Sequence, residues 1–286
     1  MYDYIQLCRP KHAIKNFLIL LPPFFGQKIL APQTLKTALL AFLSFSAVAA
    51  SIYIINDVAD VEKDRLNSAK KNRPVASGRV SVSKALFLSA ILLGIGFTML
   101  VFSDNIILNV VLLLSYFILN TAYSLNLKNK PVIDVFILAS GYVLRVYFGG
   151  FWFNVKVSPW LFLCIFCGAL FLAFGKRRNE MLHIPPPYLT RPVLRHYNRQ
   201  YLTGCYYLFC GLTIVFFALW TVLATKQQSM FLYTIPIVVF IILRYNLIIE
   251  TVETSGDPIP TLWGDKLLMF LILVFLVLSF IGLYSS

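Results

Sequence analysis

Asn56, Asp57, Asp60 and Asp64 open the stretch NDVADVEKDRLNSAKKNRP, residues 56–74. On a continuing helix, Asn56, Asp60 and Asp64 recur every four residues and share a face, with Asp57 close beside that stripe. Three carboxylates and an amide gathered there repel one another unless a cation sits among them. Oxygen-only ligands suit Mg²⁺, which is typically held by a few carboxylates together with substrate phosphates. Just downstream, Arg65, Lys70, Lys71 and Arg73 offer donors to an anion, and arginine suits bidentate phosphate contacts. The pattern points to a metal–phosphate site. The plainer alternative is a solvated helix end followed by a basic loop that only sets topology. A fourfold acid repeat at a membrane boundary favours the site.

The elements that must position these residues are membrane spans. Of 286 residues, 59% are apolar (AVILMFWYC) and 13% charged, against about 45–50% and about 25% in soluble domains. Disorder, collagen and a secreted disulfide scaffold are excluded, and a soluble globular enzyme does not fit. A span needs about 20 mostly apolar residues. Nine are expected, at roughly 14–30, 36–56, 83–102, 105–123, 132–153, 158–175, 201–224, 230–250 and 266–284. The expected fold is all-α: one polytopic membrane helical bundle of about nine transmembrane helices, forming a single domain over 1–286. The first span is the weakest. Its apolar core, Phe17 to Phe25, is short and carries Pro22-Pro23, so a tilted or broken helix is expected. No cleavable signal peptide is expected, because Met1 to Lys15 is polar and basic and no small-residue cleavage site follows.

The net charge is +13, from 25 Lys+Arg against 12 Asp+Glu. With nine spans, almost all basic residues fall on the side of the N-terminus, including Arg9, Lys11, Lys15, Arg191 and Lys266. The opposite side has only Lys28, Lys36, Lys156 and Lys226. This asymmetry predicts a cytoplasmic N-terminus and an outside C-terminus. Most acids, among them Asp134, Glu180, Glu250, Glu253, Asp257 and Asp265, gather on the same side, which topology does not require. The basic excess is compatible with anionic lipids or phosphorylated substrates; no nucleic-acid-binding motif is visible. Cys164 and Cys167 have a redox or zinc spacing but lie in an apolar helix without a second ligand pair, so packing is expected of them. His12, His183 and His196 show no metal-ligand spacing. Arg145 falls inside an apolar helix. An intramembrane arginine is costly and usually functional, and phosphate binding is favoured over snorkelling or pairing with a helix carbonyl.

The run Asn56-Asp57-x-x-Asp60-x-x-x-Asp64-Arg65, followed by Asn67, Lys70 and Arg73-Pro74, resembles the first signature of the UbiA superfamily of intramembrane prenyltransferases. By matching position, the resemblance implies that Asn56, Asp60 and Asp64 bind Mg²⁺ and a diphosphate, with Asp57 adjacent. Most members carry a second Asp-rich motif at the end of the sixth helix. Here that place reads GKRRNEM, residues 175–181, with Lys176, Arg177, Arg178 and the single acid Glu180. In this it resembles the polyprenyl-phosphate phosphoribosyltransferase branch, as do YSLNLKNKPVIDV (123–135), GYVLRVYFGG (141–150) and SPWLFLCIFCGALFLAFGKR (158–177). Tyr123 and Lys128 are similar to a family substrate-contact stretch, the alternative being interfacial anchoring.

That branch joins C1 of phosphoribosyl pyrophosphate to a decaprenyl-type lipid phosphate and releases pyrophosphate. The basic 176–178 segment suits a site holding a sugar phosphate, a diphosphate and a lipid phosphate together. The implied setting is a bacterial inner membrane, and a homo-oligomer is compatible with the sequence. Two other readings stand. One is an ordinary UbiA prenyltransferase with an aromatic or lipid acceptor, against which the absent second Asp motif counts. The other is a secondary transporter of an anionic solute, which Arg145 and a broken first helix fit. No repeated halves are visible, however, and acids clustered on one face suit catalysis better.

Overall fold

The computed structural model describes residues 2–66, 70–183, 192–223, 231–251 and 258–284. Asn67, Arg191, Lys226, Glu253 and Asp257, read from the sequence above, lie outside these residues, as does the His183 side chain. Among the described residues there is helix and no strand. Among these residues, eight helices are long and apolar enough to cross a membrane. The chain divides into two compact units: Met1–Ile137 with Gly141–Lys156, and Leu138–Ser140 with Val157–Ser286.

The first unit begins with the short helix α1 (Tyr2–Cys8). The expected first span follows, but not as one α-helix. Pro10–Leu20 is a 3-10 helix and Leu21–Phe25 the short α2. Pro22 and Pro23 lack the N–H groups that would bond the carbonyls of Leu18 and Ile19, so a continuous α-helix cannot pass. α3 (Pro32–Ala59) starts with Pro32 in its first turn and runs to the acid motif, where α4 (Val61–Leu66) takes over. α5 (Val82–Thr98) is capped by Ser81, whose side chain accepts from the Lys84 amide, and it tightens into a 3-10 turn at Met99–Phe102. α6 (Ile106–Leu125) and α7 (Ile133–Trp152) complete the set, joined through a 3-10 turn at Leu127–Asn129.

Lipid chains are as apolar as Leu, so small residues and polar bonds must fasten helices to one another. Between α3 and α5, Ser44 Oγ donates to the Gly96 carbonyl at 2.7 Å, and the Ser51 and Ser89 hydroxyls lie 2.9 Å apart. A Cβ on Gly96 would stand 2.8 Å from the Ser44 carbonyl oxygen, so only glycine lets this seam close. The buried core beside it holds Ile19, Phe45, Val48, Leu113, Tyr116, Phe148 and Trp152. A smaller cluster of Leu7, Ile54, Val75, Val80 and Ala85 seats α1 and the 70–80 segment against the end of α3 that carries the acids.

The 3-10 segment crosses α7 at Gly149, where an added Cβ would lie 1.9 Å from the Ile19 carbonyl oxygen. Gly149→Ala is therefore expected to destabilise the fold by about 1–3 kcal/mol, the usual cost of overpacking a tight contact. A lowered unfolding midpoint in detergent checks this, with Gly94→Ala, which meets open space, as the neutral comparison.

The second unit holds α8 (Pro159–His183), α9 (Arg199–Leu223), α10 (Thr234–Thr251), α11 (Pro258–Gly264) and α12 (Lys266–Tyr284). α8 packs on α9 through Phe171 stacked on Tyr206 and Phe174 stacked on Phe209. It runs about two turns past the expected end of the sixth span, carrying 175–181 as regular helix rather than loop. Cys164 and Cys167 lie within it as free thiols, packing as expected.

Candidate functional site

The four-residue repeat is real along the backbone. The Asp60 amide donates to the Asn56 carbonyl at 3.0 Å, and the Asp64 amide to the Asp60 carbonyl at 2.8 Å. These two bonds link the three residues across the α3–α4 junction, where Asp60 itself leaves helical geometry. The carboxylates then part company. Asp57 and Asp64, each 3% exposed, share one cation: Arg73 Nη1 donates to Asp57 Oδ1 at 3.0 Å and to Asp64 Oδ2 at 2.7 Å. Lys70 Nζ stands 3.9 Å from Asp64 Oδ1. Asp60 turns instead to Lys128, whose ammonium bonds both of its oxygens at 2.6 and 2.7 Å. Lys128 is placed by the 3-10 turn that follows α6.

One member of the cluster was invisible as such in the sequence. Arg9, counted there only as a topology charge, donates through Nη2 to Asp57 Oδ1. Nothing local marks it; only the fold brings α1 under the end of α3. Tyr123 is half-buried near the C-terminal end of α6, and Asn56 is half-buried in α3.

The first unit thus interleaves Asp57, Asp60 and Asp64 with Arg9, Lys70, Arg73 and Lys128. Among the described residues, no group of three His, Cys, Asp or Glu converges on one point. The donors nevertheless fit a hard divalent cation that shares its coordination with a phosphate. They are all oxygens, and Asp60 already offers both of its oxygens to a cationic centre, the Lys128 ammonium.

Arg145 occupies the core of the same unit and is 4% exposed. Its Nε donates to Asn16 Oδ1 at 2.8 Å, Nη1 to the Gly141 carbonyl at 2.7 Å and Nη2 to the Tyr116 hydroxyl at 2.8 Å. The rings of Phe45, Tyr116 and Tyr142 surround the guanidinium, with centroids at 4.9–5.9 Å. Asn16 in turn donates to Ser46 Oγ at 2.8 Å. Protein groups therefore account for its buried charge, and it ties the 3-10 segment to α6 and α7. Neither Asn16 nor Tyr116 announces this role in the sequence.

In the second unit Lys176 is half-buried in α8. Arg177, only 1% exposed, pairs with Glu180 at 3.0 Å. Arg178 bonds Thr203 at 3.0 Å and Glu250 at 2.8 and 3.1 Å, linking α8 to α9 and α10. Glu250 is thus a partner that the sequence reading had only as one acid among many. Arg244 grips Asp265 at 2.6 and 3.3 Å, and Asp265 Oδ1 also accepts the Leu268 amide at 2.7 Å, capping α12. The Arg244 bond, with the amide behind it, holds the Asp265 carboxyl below the usual carboxylate range.

This arrangement of apolar spanning helices with an acid-and-base cluster at a helix end is that of an integral membrane protein. The model of the UbiA prenyltransferase family matches residues 20–257, and the chain belongs to that family. It is 32% identical to the decaprenyl-phosphate phosphoribosyltransferase of Corynebacterium glutamicum over 98% of this chain and 86% of the relative. It is 30% identical to the enzyme of the same name from Mycolicibacterium smegmatis, over 99% and 92%. Among solved structures, a UbiA homologue from Archaeoglobus fulgidus bound to GPP and Mg²⁺ superposes with a TM-score of 0.76 at 22% identity, covering 99% of this chain and 100% of that one. The fold class expected from sequence stands.

Proposed function

We propose that the protein transfers the 5-phosphoribosyl group of phosphoribosyl pyrophosphate to a decaprenyl-type polyprenyl phosphate, releasing pyrophosphate with Mg²⁺ as cofactor. The near-full-length likeness to two decaprenyl-phosphate phosphoribosyltransferases carries this reading. The basic character of residues 176–178, where most of the family has acids, supports it.

In this reaction the C1–O bond to pyrophosphate breaks, and a lipid phosphate oxygen forms a new bond to C1. The ribosyl carbon becomes cation-like while charge builds on the leaving diphosphate. Asn56, Asp60 and Asp64 would hold the Mg²⁺, which supplies Lewis-acid stabilisation of that leaving charge. Arg73, Lys70 and Lys128, which pair with these acids, would turn positive charge to the same diphosphate oxygens. Lys176 is the candidate for the sugar phosphate, with Arg177 and Arg178 framed by Glu180 and Glu250. Tyr123 borders the Lys128 turn and belongs to the substrate-contact set. The Lys/Arg asymmetry supports a cytoplasmic site and N-terminus in a bacterial inner membrane.

A paired assay in one detergent preparation tests this. Phosphoribosyl pyrophosphate is offered with decaprenyl phosphate, and a prenyl diphosphate with 4-hydroxybenzoate. Pyrophosphate release and a ribosylated lipid are expected in the first arm and no product in the second. Prenyl transfer alone would place the protein among the aromatic prenyltransferases. Neither reaction, with solute flux in vesicles, would make it a transporter.

A further inference from the structure

Several independent features hold Arg9 at the acid cluster. Its Nη2 donates to Asp57 Oδ1, the same oxygen that accepts Arg73 at 3.0 Å. Its guanidinium lies over the Tyr53 ring, 5.2 Å from the centroid. Its backbone sits in the left-handed region, φ 48° and ψ 59°, immediately before Pro10, where a residue with a long side chain rarely settles. Backbone strain of this kind persists only where the surroundings over-determine it, and it gathers at functional sites. Here two contacts of α1, the helix that leads into Arg9, do so. Leu7 is packed with Ile54, Val75 and Val80, and Asp3 pairs with Arg79 at 2.8 Å.

Asp57 is deeply buried, and two guanidinium groups crowd one of its oxygens. Cations brought that close repel each other. Arg73 also bonds Asp64, which Lys70 approaches as well, so two carboxylates meet three positive charges, and a bound anion would restore the balance. Both arginines remain partly open, with side chains 20% and 27% exposed, and each has further N–H groups in a fixed planar fork that matches phosphate oxygens. Asp60 contrasts with this, turning both oxygens to a single compact ammonium.

We propose that Arg9 is a ligand for the donor's diphosphate, and that Asp57 is a positioning residue that aims Arg9 and Arg73 at it, not a metal ligand. The inference rests on the diphosphate-donor reading above, and it brings the N-terminal segment into the site.

The test uses the full-length protein in detergent with two probes: Mn²⁺ alone, followed by its spin-resonance signal, and inorganic pyrophosphate at saturating Mn²⁺, followed by calorimetry. Arg9→Gln and Asp57→Asn are expected to weaken pyrophosphate about ten- to a hundredfold, the range for loss of a charge-assisted contact, and to leave Mn²⁺ binding unchanged. Asp60→Asn should weaken Mn²⁺ itself. In turnover, Asp57→Asn should raise KM for the donor more than it lowers kcat, and Arg9→Lys should recover part of what Arg9→Gln loses. If Arg9→Gln does not fold, Arg9→Lys carries the test, since a point charge in place of the fork should still bind pyrophosphate more weakly than wild type.

Loss of Mn²⁺ affinity in Asp57→Asn equal to that in Asp60→Asn would overturn the assignment of Asp57. Undiminished pyrophosphate binding by folded Arg9 variants would overturn that of Arg9 and leave the proposed function standing. Wild-type protein that binds no pyrophosphate would remove the diphosphate reading and this inference with it.

Discussion

Asp60→Asn is expected to lower turnover by about a hundred- to a thousandfold, the scale on which loss of preorganised stabilisation of a developing charge is felt, while the protein inserts and folds. Asp64→Asn should do the same. Asp60 is the acid whose two oxygens already gather a cation, and Asn keeps the volume while removing the charge. The measurement is pyrophosphate release from phosphoribosyl pyrophosphate with decaprenyl phosphate, across a Mg²⁺ series. Glu62→Gln is the control. Glu62 lies on the exposed face of α4, its side chain 78% accessible and paired with Arg65 at 2.8 Å, and its loss should cost nothing measurable. Near-normal activity of Asp60→Asn at limiting Mg²⁺ would remove the metal from the argument.

Arg145→Met should act on stability first. It would strand a buried acceptor, Asn16 Oδ1, at about 1–3 kcal/mol when left unsatisfied, whereas the Gly141 carbonyl keeps the helical bond from the residue 145 amide. A loss of about 1–3 kcal/mol is expected, a large fraction of the stability of a marginal fold. The role can be separated from substrate contact by a double variant. Replacing Asn16 with Leu as well removes the stranded acceptor, so Asn16→Leu/Arg145→Met should unfold at a higher temperature than Arg145→Met alone. If Arg145→Met instead keeps the wild-type midpoint and raises KM for the donor, the buried network is not its main role and phosphate binding is.

The split between what the sequence disclosed and what it hid follows the range of the interactions. Spans are local: twenty apolar residues are readable in a window, and eight of the nine expected spans are helices of that kind. The first was doubtful for the right reason, its prolines. The acid repeat is also local, and two backbone bonds link its members across the break at Asp60. What the acids face is not local. Asp57 meets Arg9 across 48 residues, Asp60 meets Lys128 across 68, and Arg145 meets Asn16 across 129. A helical wheel shows that Asn56, Asp60 and Asp64 share a side, but it cannot show that Asp60 and Asp64 turn to different cations. Arg145 was legible as a costly residue. Its satisfaction by an amide, a carbonyl and a phenol from three segments was not, because each partner is ordinary where it stands in the chain. Lys128 was found only through family likeness, and Arg9 through the fold.

The seam between α3 and α5 has a consequence for where such a protein can work. Its two rungs, Ser44 with Gly96 and Ser51 with Ser89, are seven residues apart on each helix, about 10 Å along the axis. Bilayers differ in thickness by several ångströms, and spans adjust by tilting. Two helices fastened at a single height could slide past each other as they tilt, whereas two fastened at both heights must lean together. The segment that leads into α5 carries Arg73, so its grip on the acids at the end of α3 travels with the pair. The contact of Arg73 with Asp57 and Asp64 is thereby expected to hold alike in thin and thick membranes.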